Sequence, residues 1–118
     1  MSYDEQLAHR LRLRLKQRPG FSERKMFSGI CFMLHGNMCG GVLREDLIVR
    51  VKPEKFDQAM NQPHTRVFDF TGKPMRGFVV VTPKGYRSDK AFKNWVALGV
   101  ECARARPRKI KKIRPRVK

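Results

Sequence analysis

The side chains that most often do chemistry in proteins are few in this sequence and widely spaced. They are three cysteines and three histidines: Cys31, Cys39, Cys102, His9, His35 and His64. No C-x-x-C or H-x-x-x-H spacing occurs among them, so we predict no metal site, and nothing else in the sequence indicates a cofactor. An odd number of cysteines without close pairs is not a disulfide framework, which favours buried or half-buried free thiols.

A catalytic nucleophile or acid–base pair is equally hard to find. Ser28-Gly29 lacks the G-x-S-x-G elbow of serine hydrolases. Glu45-Asp46 lies in a predicted turn, where acidic residues are ordinary. Cys31 and His35 fall on one predicted strand, four residues and therefore about 13 Å apart, which is too far for a thiol–imidazole pair. We therefore predict that the chain is not an enzyme.

Cationic side chains are the one abundant chemical group. The chain has 27 Lys and Arg against 10 Asp and Glu, a formal net charge of +17. Such an excess attracts polyanions. Seven of these cations lie in the acid-free segment 107–118, which leaves +10 for the rest. The residues that we predict to contact nucleic acid lie on the first predicted helix and in that segment: Arg10, Arg12, Arg14, Lys16, Arg108, Lys109, Lys111, Lys112, Arg114, Arg116 and Lys118.

Four of these cations lie on the first predicted helix, so the position of that helix determines theirs. Ser2-Tyr3-Asp4-Glu5 has the form of a capping box, which predicts a helix beginning near Asp4. Leu7, Leu11 and Leu15 recur every four residues and form an apolar stripe. Pro19-Gly20 ends the pattern. Like charges one turn apart on the remaining surface cost a few tenths of a kcal/mol each, so this helix either faces an anion or presents a solvated face.

Two further helices are predicted. Pro53 suits the first position of a short helix over Pro53–Asn61. Ser88 is a good N-cap for a longer helix that runs to about Arg104. Its apolar residues follow a period of 3.6 and should pack on a sheet; they are Phe92, Trp95, Val96, Gly99 and Ala103.

Five strands are predicted between and around these helices. They are Met26–Leu34, a strand containing Gly40-Gly41, Leu47–Val51, Arg66–Phe70 and Gly77–Thr82. Gly36-Asn37 has the composition of a two-residue type II′ turn, which would place Leu34 opposite Cys39 and Cys31 opposite Val42. Glycine weakens a strand interior, so Gly40-Gly41 predicts a bulge or the close approach of a helix backbone.

The predicted order is α-β-β-β-α-β-β-α. This order predicts a two-layer α+β domain over residues 1–106, with an antiparallel sheet of about five strands and helices packed on one face. The continuous like charge and the two prolines of the segment, Pro107 and Pro115, predict a basic, disordered tail over residues 107–118.

Three segments resemble the N-terminal domain of the TfoX/Sxy family: Lys25–Gly29, His35–Val42 and Asp69–Gly77. With the pattern around Trp95-Val96, the resemblance covers roughly residues 3–105. It implies a fold similar to secretion-chaperone-like α/β domains. Full-length members of the family regulate natural competence for DNA uptake as transcriptional co-regulators and carry a second, helical domain; this sequence resembles the first domain only. None of the matching motifs is catalytic.

Two functions are best compatible with these observations; an anionic membrane surface is a weaker third option, because the tail offers only Ile110, Ile113 and Val117 as apolar contacts. The first is a non-enzymatic regulatory module that binds DNA or RNA without sequence preference, since no recognition-helix, zinc-finger or aromatic RNA-binding motif occurs. The alternative is a protein-interaction or homodimerisation module with no nucleic-acid role. No apolar run reaches the roughly 20 residues that span a bilayer, and MSYDEQLAHR is not a secretory signal, so we expect a cytoplasmic protein.

Overall fold

A six-stranded antiparallel sheet organises the molecule, which we describe from a computed structural model covering residues 3–26, 28–69 and 77–106. In chain order the elements are α1 (Glu5–Leu15), β1 (Phe21–Met26), β2 (Gly29–Leu34), β3 (Asn37–Leu43), β4 (Asp46–Arg50), α2 (Pro53–Met60), β5 (Thr65–Val67), β6 (Phe78–Val81), α3 (Pro83–Tyr86) and α4 (Asp89–Ala105). The strands lie in the order β1-β2-β3-β4-β6-β5. Buried residues of all four helices join one core cluster with residues of the sheet. The predicted α+β class is therefore confirmed, with one more strand and one more short helix.

Helix α1 begins where its sequence predicts. The Asp4 carboxylate accepts hydrogen bonds from the backbone N–H groups of Gln6 and Leu7, at 2.9 and 3.2 Å. This side chain satisfies two of the free N–H groups at the helix start. The predicted leucine stripe is buried, and the helix ends at Leu15, before the turn that contains Gly20. Ser2 lies outside the described residues.

The predicted single strand Met26–Leu34 is wrong at its beginning. Two strands occupy this region, because β1 pairs with β2 through a tight turn that brings Met26 opposite Gly29. Ser28 takes a φ of 64° in that turn, a conformation that side chains rarely adopt. Most of β1 is polar and charged, as in many edge strands, so its sequence carries no apolar alternation that would have revealed it.

The β2–β3 turn is displaced by one residue from its predicted position. His35 and Gly36 are the turn residues, with φ values of 53° and 82°, so both are positive as in a type I′ turn. Leu34 consequently pairs with Asn37, and Cys31 pairs with Gly41 rather than Val42. Asn37 lies in β3 rather than in the turn, because its side chain is buried and donates hydrogen bonds to the end of α4.

The bulge predicted at the glycine pair is present in β3. Phe32 lies opposite Gly40 while Met33 lies opposite Met38, so Cys39 is the additional residue. The closest helix backbone meets β3 at Cys39 itself, where a Cβ added to Gly99 of α4 would overlap the Cys39 carbonyl oxygen. β3 and α4 are therefore in close backbone contact at this point.

The remaining elements follow their predictions with small shifts of boundary. Ser88 caps α4 by accepting a hydrogen bond from the Ala91 N–H at 3.1 Å. Pro53 opens α2 as expected. β5 ends at Val67, and Phe70, to which that strand was predicted to extend, lies outside the described residues. Residues 107–118 also lie outside them, so the predicted tail and its boundary remain predictions.

No helix in the described part of the chain combines the length and apolar character that crossing a bilayer requires.

Candidate nucleic-acid interface

The first cation of α1 is held against the neighbouring helices. The Arg10 guanidinium donates hydrogen bonds to the backbone carbonyl of Tyr86 and to the Asp89 carboxylate, each at 3.3 Å. Its Cζ lies 4.1 Å from the centre of the Phe92 ring, within the range of a cation–π contact. The predicted role of Arg10 in anion binding therefore competes with three intramolecular contacts.

Arg12 is more fully engaged. It donates two hydrogen bonds to the carboxylate of Glu23 in β1, at 2.7 and 2.9 Å, in a bidentate pair. This hydrogen bonding raises the pKa of Arg12 and lowers the pKa of Glu23 from its ordinary value. The charge of Arg12 is thus matched by an acid of β1, a strand that the sequence did not reveal.

The cations further along the helix are uncommitted. Arg14 and Lys16 are exposed, and neither forms an ion pair or a hydrogen bond through its side chain with another residue of the ranges described above. Arg18, two residues after the C-cap Lys16, is also exposed and similarly unpaired there. The predicted set on α1 therefore divides into a paired half and a free half.

Arg18 opens onto a cleft of about 390 Å³ at one end of the molecule. We call this the cationic cleft. Its lining comes from the end of α1, the β2–β3 turn and the end of α4, and it consists of Arg18, Pro19, Leu34, His35, Ala103, Arg104 and Arg106. Three arginines and one histidine line it, and no acidic residue does.

Backbone contacts fix the three parts of the cationic cleft relative to one another. The buried Asn37 amide donates hydrogen bonds to the carbonyls of Ala103 and Arg106, at 3.4 and 3.5 Å. The His35 N–H donates to the Gly20 carbonyl at 2.9 Å. Gly20 has a φ of 79°, and a Cβ there would overlap the His35 imidazole, so glycine allows this approach. The turn is therefore tied to the chain on both sides.

Two physical effects of this arrangement can be distinguished. Cations at the ends of α1 and α4 complement the negative ends of the helix dipoles, each worth about 0.3–1 kcal/mol of stability. This stabilisation by the helix dipoles requires only that the cations lie close to the two helix ends. A concave site with three guanidinium groups and no acid also suits a phosphate, since each guanidinium can donate two parallel hydrogen bonds to it.

The four basic residues of the cationic cleft were not among the predicted nucleic-acid contacts: Arg18, His35, Arg104 and Arg106. The available signal was that Arg18 and Arg104 both stand at the ends of predicted helices. What could not be seen is that these two ends meet at the same turn. The seven predicted tail cations begin two residues after Arg106, outside the described residues.

The three thiols are free, as predicted, and burial makes two of them harder to ionise. Burial raises the pKa of Cys31, and it raises the pKa of Cys39 to about 12. The Cys39 thiol lies 3.4 Å from the Phe32 carbonyl and donates to it. Thiolates are the nucleophilic and metal-binding form, so these groups are poorly suited to either task. Within the described ranges no group of three or more potential ligands surrounds a metal position.

Comparison with known proteins gives one match. The family model described as the TfoX N-terminal domain matches residues 14–103, from within α1 to near the end of α4. No curated protein and no solved structure matches significantly.

Proposed function

The chain belongs to the TfoX N-terminal domain family, and from this premise we propose that it is a non-enzymatic module that binds nucleic acid without sequence preference. Membership supports a regulatory or binding module in general. The observation that carries the finer proposal is the cationic cleft, where Arg18, Arg104 and Arg106 converge without an acidic partner. The basic segment 107–118 continues directly from it.

The physical basis is the release of counterions from the phosphate backbone. Each phosphate that a cation neutralises adds about 0.9 to the slope of log K against log salt for duplex DNA, and about 0.7 for single strands. We expect the free cations of the described chain to make such contacts, and we expect the same of the seven cations of the segment 107–118. Contacts of this kind position a protein on nucleic acid and carry no direct sequence information.

Truncation after Arg106 tests the contribution of the basic segment. We expect the intact chain to bind labelled duplex DNA and RNA with an affinity that falls steeply between low and moderate salt. Removing 107–118 removes seven cations, so the slope should flatten by several units. A slope that is unchanged by the truncation would contradict the proposed role of that segment.

The alternative is a protein-interaction or homodimerisation module. A sizing experiment distinguishes it from a module that binds nucleic acid. Light scattering with and without nucleic acid should show a mass increase that disappears at high salt. A dimer whose mass is independent of salt, and which ignores both DNA and RNA, would favour the alternative.

We also propose that the protein acts in the cytoplasm. The three free cysteines are compatible with a compartment that keeps thiols reduced. Fractionation of cells that produce the protein tests this proposal, and recovery outside the cytoplasmic fraction would contradict it.

A further inference from the structure

A second cavity, of about 330 Å³, lies in the helical layer and shares no residue with the cationic cleft. It is bounded by α2, by the loop that leads into β5, by α3 and by the first half of α4. Small-molecule sites typically begin at about this size and combine an apolar lining with a few convergent polar groups.

The inner surface of this cavity is apolar. Ala59 of α2 and Trp95 of α4 are buried and line it, and Leu98 is half-buried beside them. The Trp95 indole is fixed in position because its Nε1–H donates a hydrogen bond to the Gly85 carbonyl of α3 at 3.1 Å. A flat apolar group would meet a rigid surface here.

The loop wall of the cavity is also fixed. The Thr65 hydroxyl donates to the Gln62 carbonyl at 2.8 Å, and the N–H and hydroxyl of Thr82 donate to the His64 carbonyl at 2.9 and 3.2 Å. These bonds hold His64 at a φ of 65°, a conformation that is unfavourable for a residue with a side chain. Gly85 packs against this wall, since a Cβ there would crowd His64 and Val81. The cavity is therefore formed before any ligand arrives.

The rim of the cavity is polar and lacks acidic residues. Gln58, Lys84 and Asn94 are exposed, and no side chain among these three bonds to another residue that the structure describes. Lys55, which also lines the cavity, is already paired with Glu101 at 3.5 Å. Lys84 is thus the uncommitted charge at the rim, and its ammonium group would attract an anion above the apolar floor.

We propose that this cavity binds a small organic anion, with a flat apolar body against Trp95 and Ala59 and a phosphate or carboxylate at Lys84. The side-chain amides of Gln58 and Asn94 supply further donors for the anionic group. This site and ligand are separate from the proposed nucleic-acid contacts, so either can fail without the other.

The emission of Trp95, the only tryptophan of the chain, tests the proposal. We expect phenyl phosphate, benzoate or both to change this emission saturably, at concentrations at least tenfold below those needed with inorganic phosphate or phenol. The comparison of phenyl phosphate with benzoate tells which anionic group is preferred. If inorganic phosphate matches the aromatic anions, or if phenol does, or if none of the four saturates, the proposal is wrong.

Three variants test whether the ligand binds in this cavity. Lys84→Gln should weaken binding of the aromatic anion to the level of phenol, and Ala91→Leu should block it by filling the cavity. Lys90→Gln is the matched control, because Lys90 is an exposed lysine of α4 outside the lining. We expect Lys90→Gln to bind as the parent does. Equal losses in Lys84→Gln and Lys90→Gln would show that net charge alone attracts the anion and would overturn the proposal.

Discussion

The two halves of the predicted cation set on α1 carry the same charge but differ in what that charge contacts. In the paired half, Arg10 and Arg12 reach Asp89 and Glu23 on neighbouring elements. In the free half, Arg14 and Lys16 meet no acid among the described residues. A count of basic residues therefore overstates what a polyanion can use, and the useful charge is concentrated where α1 ends beside the cationic cleft.

Among variants that keep the whole chain, the largest expected effect comes from removing two charges of the cationic cleft, compared with removing two paired charges of α1. Arg104→Gln/Arg106→Gln should lower the slope of log K against log salt by roughly two units on duplex DNA, since each lost contact removes about 0.9. Arg10→Gln/Arg12→Gln removes the same formal charge and should change the slope by well under one unit, because both guanidinium groups are already paired. Both are measured by fluorescence anisotropy. Equal changes in the two variants would contradict the distinction between the paired cations of α1 and the cations of the cationic cleft.

A gain of binding should follow when a paired cation is released. Glu23→Gln frees the Arg12 guanidinium from its bidentate partner, so the slope should increase by up to about one unit. Glu45→Gln gives the same change of net charge at a residue without an ion pair in the described structure, and we expect it to alter the slope less. If the two variants increase the slope equally, long-range charge rather than the freed side chain is responsible.

The smallest effect concerns stability and pH. The Arg12–Glu23 pair is one-third exposed on each side, so Glu23→Gln should lower the free energy of unfolding by less than about 1 kcal/mol at pH 7. Hydrogen bonding to Arg12 lowers the pKa of Glu23, so the folded state binds this proton less readily than the unfolded state. The contribution is fully present above the ordinary value near 4.5 and is lost as the pH falls through the lowered pKa.

Urea denaturation at pH 7 and at several values below 4.5 measures this contribution. The difference between the parent and Glu23→Gln should shrink towards acid pH. A difference that is the same at every pH would mean that the effect of the variant arises from packing rather than from the ion pair.

The sequence predicted the helices better than the start of the sheet, for identifiable reasons. Leu7, Leu11 and Leu15 and the capping residues Asp4 and Ser88 are local signals, and the helices begin where those signals are. β1 is polar over most of its length, so its position as an edge strand depends on pairing with β2 and not on its own pattern.

That missed strand explains why the candidate site was only partly predicted. Because β1 was not predicted, nothing in the sequence indicated that Glu23 lies beside Arg12 and neutralises its charge. The cationic cleft was still harder to predict from the sequence, because its formation depends on α1 and α4 ending at the same turn. Asn37 joins that turn to α4 by hydrogen bonds across 66 and 69 residues, and no local pattern encodes such contacts. His35 could not be assigned to the cationic cleft from the sequence, because the β2–β3 turn that carries it was predicted one residue away from its actual position.

Mapping of backbone amide chemical shifts during titration with a short DNA duplex tests the central claim most directly. We predict that the shifts at low salt cluster from Arg14 to Arg18, around His35 and from Arg104 to Arg106, and that the amides of β1 around Glu23 remain unchanged. Shifts centred on β1 and the paired half of α1, or no shifts at all, would contradict the account.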